Sequence, residues 1–140
     1  MGHLLTLLAL VSLAGDAGAP AVAPGLYEIE VRLGLPNVLE VAPPTRPRRC
    51  LTRADIESGQ AFFVRSENPL RTCPVADYAA AGSSVRYRIR CPGPNAASAE
   101  AAFETTPAGY RGVIRMVMGG KNMTMSETQI ASRIGECGRY

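Results

Sequence analysis

The residues best equipped for chemistry in this chain are its sulfurs and its arginines. Cys50, Cys73, Cys91 and Cys137 are even in number, widely spaced and form no C-x-x-C pair. That pattern reads as two disulfides formed in an oxidising compartment. A zinc site would need all four thiolates, because the single histidine, His3, lies in a segment expected to be removed. Apart from Met1, the methionines are Met116, Met118, Met123 and Met125, two i, i+2 pairs on either side of Gly119-Gly120. On a strand each pair shares a face, so a hairpin that aligned the two faces would bring four thioethers together. Soft thioethers select Cu(I), and Ag(I) has the same character. The simpler expectation is packing, since unbranched methionine fills irregular gaps beneath a glycine turn.

The catalytic options are few. Without histidine no Ser or Cys dyad can be assembled, and oxidised cysteines are not nucleophiles. Glu28 and Glu30 alternate on a strand pattern, which reads as a solvated face before acid–base catalysis. Asp77 with Tyr78 and Tyr87 is better read as cross-strand pairing than as a polar site. Gly119-Gly120-Lys121 lacks the strand–loop–helix context of a phosphate loop. No catalytic or cofactor-binding residue is therefore named, and the chain is expected not to be an enzyme. Arg46, Arg48, Arg49 and Arg53 form the one basic cluster with no carboxylate predicted across a strand. They are the candidate patch for an anionic partner, against the plainer reading of solvated surface.

The elements that must position these residues are strands. Val85-Arg86-Tyr87-Arg88-Ile89-Arg90-Cys91 alternates apolar and basic without a slip, the signature of a strand with one buried face. Ala99 to Thr105 also alternates, and pairing through the Pro92-to-Asn95 loop would set Arg90 opposite Glu100 and Arg86 opposite Glu104. Tyr110 to Met118 would then place Arg111 opposite Glu104 and Arg115 opposite Glu100. Upstream, Val75 to Ala80 is joined to Val85 to Cys91 by Gly82-Ser83, a two-residue hairpin signal. Cys73–Cys91 is the preferred disulfide, leaving Cys50 with Cys137. The two-residue turn puts Cys73 on the wrong face, so that pairing needs a bulge at Pro74 or a three-residue turn. Asn122 to Ile134 returns as a last strand whose apolar parity changes between Met125 and Ile130, which predicts a bulge there.

Earlier in the chain, Leu26 to Leu33 alternates with Tyr27, Ile29, Val31 and Leu33 inward. Gly34 to Pro44, rich in proline, is a loop, and Arg46 to Leu51 a short edge strand. Thr52 with Asp55 three residues on caps a brief helix that Ser58-Gly59 ends. Ala61 to Val64 reads as one more short strand. Ahead of all this, Leu4 to Ala14 is apolar, the length of a secretory h-region and too short to span a bilayer. Small residues follow, so residues 1–21 read as a signal peptide cleaved after Ala17 or Ala21, and 22–140 as one exported domain. The formal charge of +3 gains one unit if Asp16 is lost, too little to indicate a nucleic-acid partner.

Pro24-Gly25-Leu26-Tyr27-Glu28, Cys50-Leu51-Thr52, the Cys73…Gly82…Cys91 hairpin, Met123-Thr124-Met125 and Arg133-Ile134-Gly135-Glu136-Cys137 occur in an order that resembles the bacterial secreted family of unknown function known as DUF3617. Tyr27 stands where that family usually has Trp, and Glu136 where it usually has Asp. The resemblance implies an exported, mostly antiparallel β domain and brings no catalytic residues.

The expected fold is thus all-β: a mostly antiparallel meander in a curved sheet, sandwich or partial barrel, with one short helix and two disulfides. The expected function is that of a non-enzymatic periplasmic or extracellular module without cofactor or transmembrane segment. It would be structural, or would bind a small apolar ligand inside the curved sheet or another envelope protein. Soft-metal binding by the methionine hairpin is the alternative. Another is inhibition of an exported protein through an exposed loop at Gly34 to Thr45.

Overall fold

The computed structural model describes residues 19–36, 43–65, 67–121 and 123–138. Its strands are β1 (Gly25–Gly34), β2 (Arg48–Leu51), β3 (Val75–Ala81), β4 (Ser84–Arg90), β5 (Ser98–Thr106), β6 (Gly109–Val117) and β7 (Thr124–Gly135). One helix, α1 (Arg53–Ser58), and a 3₁₀ turn at Gln60–Phe62 follow β2. All seven strands join one open antiparallel sheet in the order β2-β1-β7-β6-β5-β4-β3. From β3 to β7 each strand pairs with the next in sequence, as the repeated turn signals demand. β1 then docks along β7, and β2 forms the far edge.

Alternation decides the two faces. Tyr27 and Ile29 of β1, Tyr87 and Ile89 of β4, Phe103 of β5 and Ile114 of β6 are all buried on the inward face. Removing such side chains from water contributes roughly 1.5–3 kcal/mol each. What covers them is not a second sheet but the segment from Leu51 to Cys73. Leu51, Ile56, Phe62 and Leu70 from this cover are themselves buried, and Phe62 packs its ring against Phe103 and Tyr110. Gly112 lies opposite Phe103 in the β5–β6 register, and a Cβ there would overlap the Phe103 ring. The missing side chain lets that ring lie across the strand and complete the aromatic cluster.

The cover begins with the predicted cap. Thr52 accepts from the Asp55 amide at 3.1 Å, and the Asp55 carboxylate accepts from the Thr52 amide at 3.0 Å. This satisfies two helix-end donors that would otherwise need water. The helix stops at Gly59, whose φ of 85° is one that side chains resist and whose α-carbon sits against Tyr78. Ala61 to Val64 is not the strand its apolar run suggests. Its first residues complete the 3₁₀ turn, with Ala61 and Phe62 both buried. A short apolar run cannot distinguish a strand from a buried turn.

Three registers differ from expectation. In β4–β5, Arg88 rather than Arg90 faces Glu100, and Ala102 rather than Glu104 faces Arg86. The Cys91 amide donates to Ala97 at 3.0 Å, so pairing continues closer to the loop than the charge pattern implied. A slip of two keeps every side chain on its face, which is why alternation could not detect it. In β3–β4 the two-residue turn forms, with Ala81 paired to Ser84. The bulge lies between Ala76 and Ala79, not at Pro74, and Asp77 takes a φ of 55° to make it. In β7 no bulge separates Met125 from Ile130, because the strand pairs evenly with β6 from Thr124 to Ser132. The parity change has another cause: Glu127 and Gln129 face inward while Ile130 faces out.

Both disulfides are present, Cys50–Cys137 and Cys73–Cys91, with Cα atoms 5.5 and 4.8 Å apart. They hold the two ends of the cover, one just before α1 and one just before β3. Ahead of β1 the chain forms a strap along the strand ends. Pro20 pairs with Gly82, and the Ala21 and Ala23 amides donate to Gly82 and Pro107. Most of the predicted leader and the tip of the Gly34 to Thr45 loop lie outside the described residues. Among those described, no helix is long and apolar enough to cross a membrane.

Candidate functional site

Two groups of polar residues stand out, one on each face. The inward group was not foreseen as such. Glu127 and Gln129, with no exposed surface, rise from β7 beneath the cover. The Glu127 carboxylate accepts from the Arg65 amide at 3.2 Å, Asn68 Nδ2 at 3.3 Å and Gln129 Nε2 at 2.6 Å. Gln129 Nε2 also donates to the Phe63 carbonyl at 3.0 Å, and its Oε1 accepts from Arg65 Nε at 3.2 Å. The Arg65 guanidinium donates to Tyr110 Oη at 2.6 Å and to the Ala61 carbonyl at 2.8 Å. Tyr87 Oη donates to the Phe62 carbonyl at 2.7 Å.

Most bonds in this network run between the sheet and the cover. Its acceptors and donors are occupied by the chain itself, so it reads as a clamp, not as a reactive centre. Burial raises the Tyr87 and Tyr110 hydroxyls above the ordinary phenol value, with the nearby Arg65 charge opposing that rise. The parity break in β7 was the one sequence signal of the clamp. Asp77, Tyr78 and Tyr87 do not assemble into a site. Asp77 is exposed at the bulge, and the buried Tyr78 hydroxyl has no hydrogen-bond partner among the described residues.

The outward group reverses the roles expected of the arginines. Arg46 pairs with Glu30 at 3.1 Å and Arg48 with Glu28 at 3.6 Å on this face, while Arg49, opposite Tyr27 on the inward side, meets Asp55 of α1 at 3.8 Å. The cluster expected to lack carboxylates thus has them, because β2 lies beside the glutamates of β1 and leads into α1. Hydrogen bonds from Arg32 and Arg46 hold the Glu30 carboxyl below its usual range. Arg53 of the cluster has no ion pair among the described residues.

The arginines of β4 and β6, expected to be balanced across the sheet, are largely unbalanced. Arg88 meets Glu100 at 3.6 Å. Arg86, Arg111 and Arg115, all exposed, form no ion pair among the described residues. They surround an open trough of about 900 Å³ on the outward face, together with Glu104, Ala102 and Val113. The register places Arg111 opposite Glu104 and Arg115 opposite Glu100, as expected, yet the side chains do not close into pairs.

The methionines follow their predicted faces. Met116 is Met125's partner in the β6–β7 ladder, and the Met118 amide donates to the Met123 carbonyl at 2.7 Å.

A single open sheet, a stapled and clamped cover, and an outward trough of arginines without ion pairs among the described residues define a small disulfide-bonded β module with its inward face covered. The chain belongs to the family described as protein of unknown function (DUF3617), whose model matches residues 22–137. No curated protein and no solved structure gives a significant match.

Proposed function

We propose that this chain is a non-catalytic exported module that docks an extended acidic segment of an envelope protein along the outward face of β4 to β7. The observation carrying this reading is the set of exposed guanidiniums, Arg86, Arg111 and Arg115, without ion-pair partners among the described residues, around a trough of about 900 Å³. Arg111 and Arg115 lie four residues apart on one strand, hence on one face and about 13 Å apart. Carboxylates four residues apart on an extended partner have the same spacing. Ala102 and Val113 between them supply an apolar floor. The trough is open along the sheet, which suits a chain segment better than an enclosed small molecule. An apolar ligand inside the sheet has less support, because the inward face is filled by core side chains and its cover. The two disulfides favour an oxidising compartment.

A fluorescein-labelled glutamate-rich peptide, titrated by anisotropy at low and high salt, tests this. Exposed charge pairs contribute roughly 0.2–1 kcal/mol each, so binding is expected in the weak, salt-sensitive range. Replacing Arg86, Arg111 and Arg115 by alanine together should weaken it by between about threefold and about a hundredfold. Replacing Arg46 and Arg48 should leave it unchanged. No binding at low salt, or equal loss in both variants, refutes a specific outward site.

A further inference from the structure

The β6–β7 hairpin carries four methionines on one face. Met116 sits directly opposite Met125, and the Met118–Met123 hydrogen bond of 2.7 Å continues the same register one step beyond the ladder. Side chains opposite one another in an antiparallel pair start about 4.5–5.5 Å apart at Cβ, and diagonal neighbours about 7–8 Å apart. Each thioether lies two methylenes beyond the backbone on freely rotating bonds, so sulfurs from these positions can reach a common point.

Burial separates two roles. Met116, 1% exposed, belongs to the core. Met118 and Met125 are half-buried against that core, and Met123 is 50% exposed. A methionine needed only as filler would be covered, and Met123 is not. The turn that carries it is braced: Gly119, at a φ of 63°, and Gly120 both pack against Asn95 of the β4–β5 loop. The hairpin end is therefore a fixed edge on which Met123 is exposed and Met118 and Met125 are half-buried beside it.

We propose that Met118, Met123 and Met125 form a three-thioether site for a soft monovalent metal ion, Cu(I) or Ag(I), with Met116 packed beneath it. Neutral sulfur donors of this kind select soft monovalent metal over Zn²⁺ and hard cations. Occupation requires no bond rearrangement and no electron transfer; the ion enters from the exposed Met123 side and displaces water. This site is separate from the arginine trough, and neither reading depends on the other.

Silver ion is the probe, because it needs no reductant and leaves the disulfides intact. Titrating Ag(I) as nitrate, in chloride-free buffer, into protein labelled with ¹³C at the methionine methyls should give saturation at a single equivalent. The methyl signals of Met118, Met123 and Met125 should move together. Zn²⁺ should move none of them. Met123→Leu combined with Met125→Leu should weaken binding by more than about tenfold. The single exposed change Met123→Leu, which cannot disturb the core, should weaken it measurably on its own. A Met123 methyl signal that stays fixed while silver binds, or affinity unchanged in Met123→Leu, overturns the site.

Discussion

Replacing Glu127 by alanine should detach the cover from the sheet more effectively than any other single change. The carboxylate is wholly buried and accepts from the Arg65 amide, Asn68 Nδ2 and Gln129 Nε2 at 3.2, 3.3 and 2.6 Å. Gln129 keeps its bond to Phe63. The Arg65 amide and the Asn68 amide group lose the partners shown here. Each buried donor left without an acceptor costs about 1–3 kcal/mol, so these two together cost about 2–6 kcal/mol. Water entering the new cavity would bring the result toward the lower end. Set against a typical domain stability of about 5–15 kcal/mol, the loss is large. Glu127→Gln keeps the volume but turns an amide NH₂ toward donors, and should cost about 1–3 kcal/mol. Equilibrium urea unfolding with both disulfides intact measures the loss, and hydrogen exchange at the Arg65 amide reports whether the cover opens first. A Glu127→Ala loss below about 1 kcal/mol, with Arg65 exchange unchanged, would refute the clamp.

The purified protein should show no titratable thiol. In the chain-entropy model, cutting Cys50–Cys137, which closes a separation of 87 residues, should cost about 4.6 kcal/mol, against about 3 kcal/mol for Cys73–Cys91 at 18, readable by urea unfolding of serine pairs. Thr52→Ala should cost about 0.5–2 kcal/mol and speed amide exchange in α1, since it removes the hydroxyl that caps the Asp55 amide. Burial raises the pKa of Tyr27, Tyr78, Tyr87 and Tyr110. Their neutral forms therefore stabilise the fold fully below about pH 10, and that stability is lost as pH rises above it. Alkaline titration should show their phenolate absorbance appearing together with unfolding; ionisation with native circular dichroism intact would contradict this. If the leader is removed as composition predicts, terminal sequencing should find cleavage after Ala17 rather than Ala21, because Pro20 and Ala21 are held against Gly82.

What could be read from the chain alone was whatever depends on period and parity. Alternation from Val85 to Cys91 is enough to place Tyr87 inside and Arg86 outside, and it does so whatever the strand pairs with. The Thr52–Asp55 cap and the Gly59 stop were legible because each is a local rule met within a few residues. Register was legible only where a short turn fixes it, as at Gly82-Ser83. Through the seven-residue connection from Cys91 to Ala97, a shift of two cost the pattern nothing, and with it the predicted partners of Arg86 and Arg90 were lost. The clamp was hidden for a different reason. Inward-facing Glu127 and Gln129 break the polar-outside rule, and their justification lies in Arg65 and Asn68, some sixty residues away in sequence. Periodicity registers such residues only as an interruption.

The distribution of fastenings bears on where this module can work. Cys50 and Cys73 bracket the cover and are tied to Cys137 and Cys91. Glu127 and Gln129 hold its middle. Opening the inward face to a ligand would mean breaking the central clamp while both ends stay covalently fixed, leaving a loop too constrained to swing aside. A binding role at the core would therefore carry the energetic cost of unfolding the cover. The outward face carries no such cost. Its guanidiniums are already exposed, and the strands that present them are rigid because their other sides are packed. Recognition there would require reorienting side chains and nothing more. The methionine rim shares that property: Met123 is exposed at a turn braced from below, so a ligand can reach it without disturbing the core. Both candidate surfaces lie where the fold can bind without first coming apart.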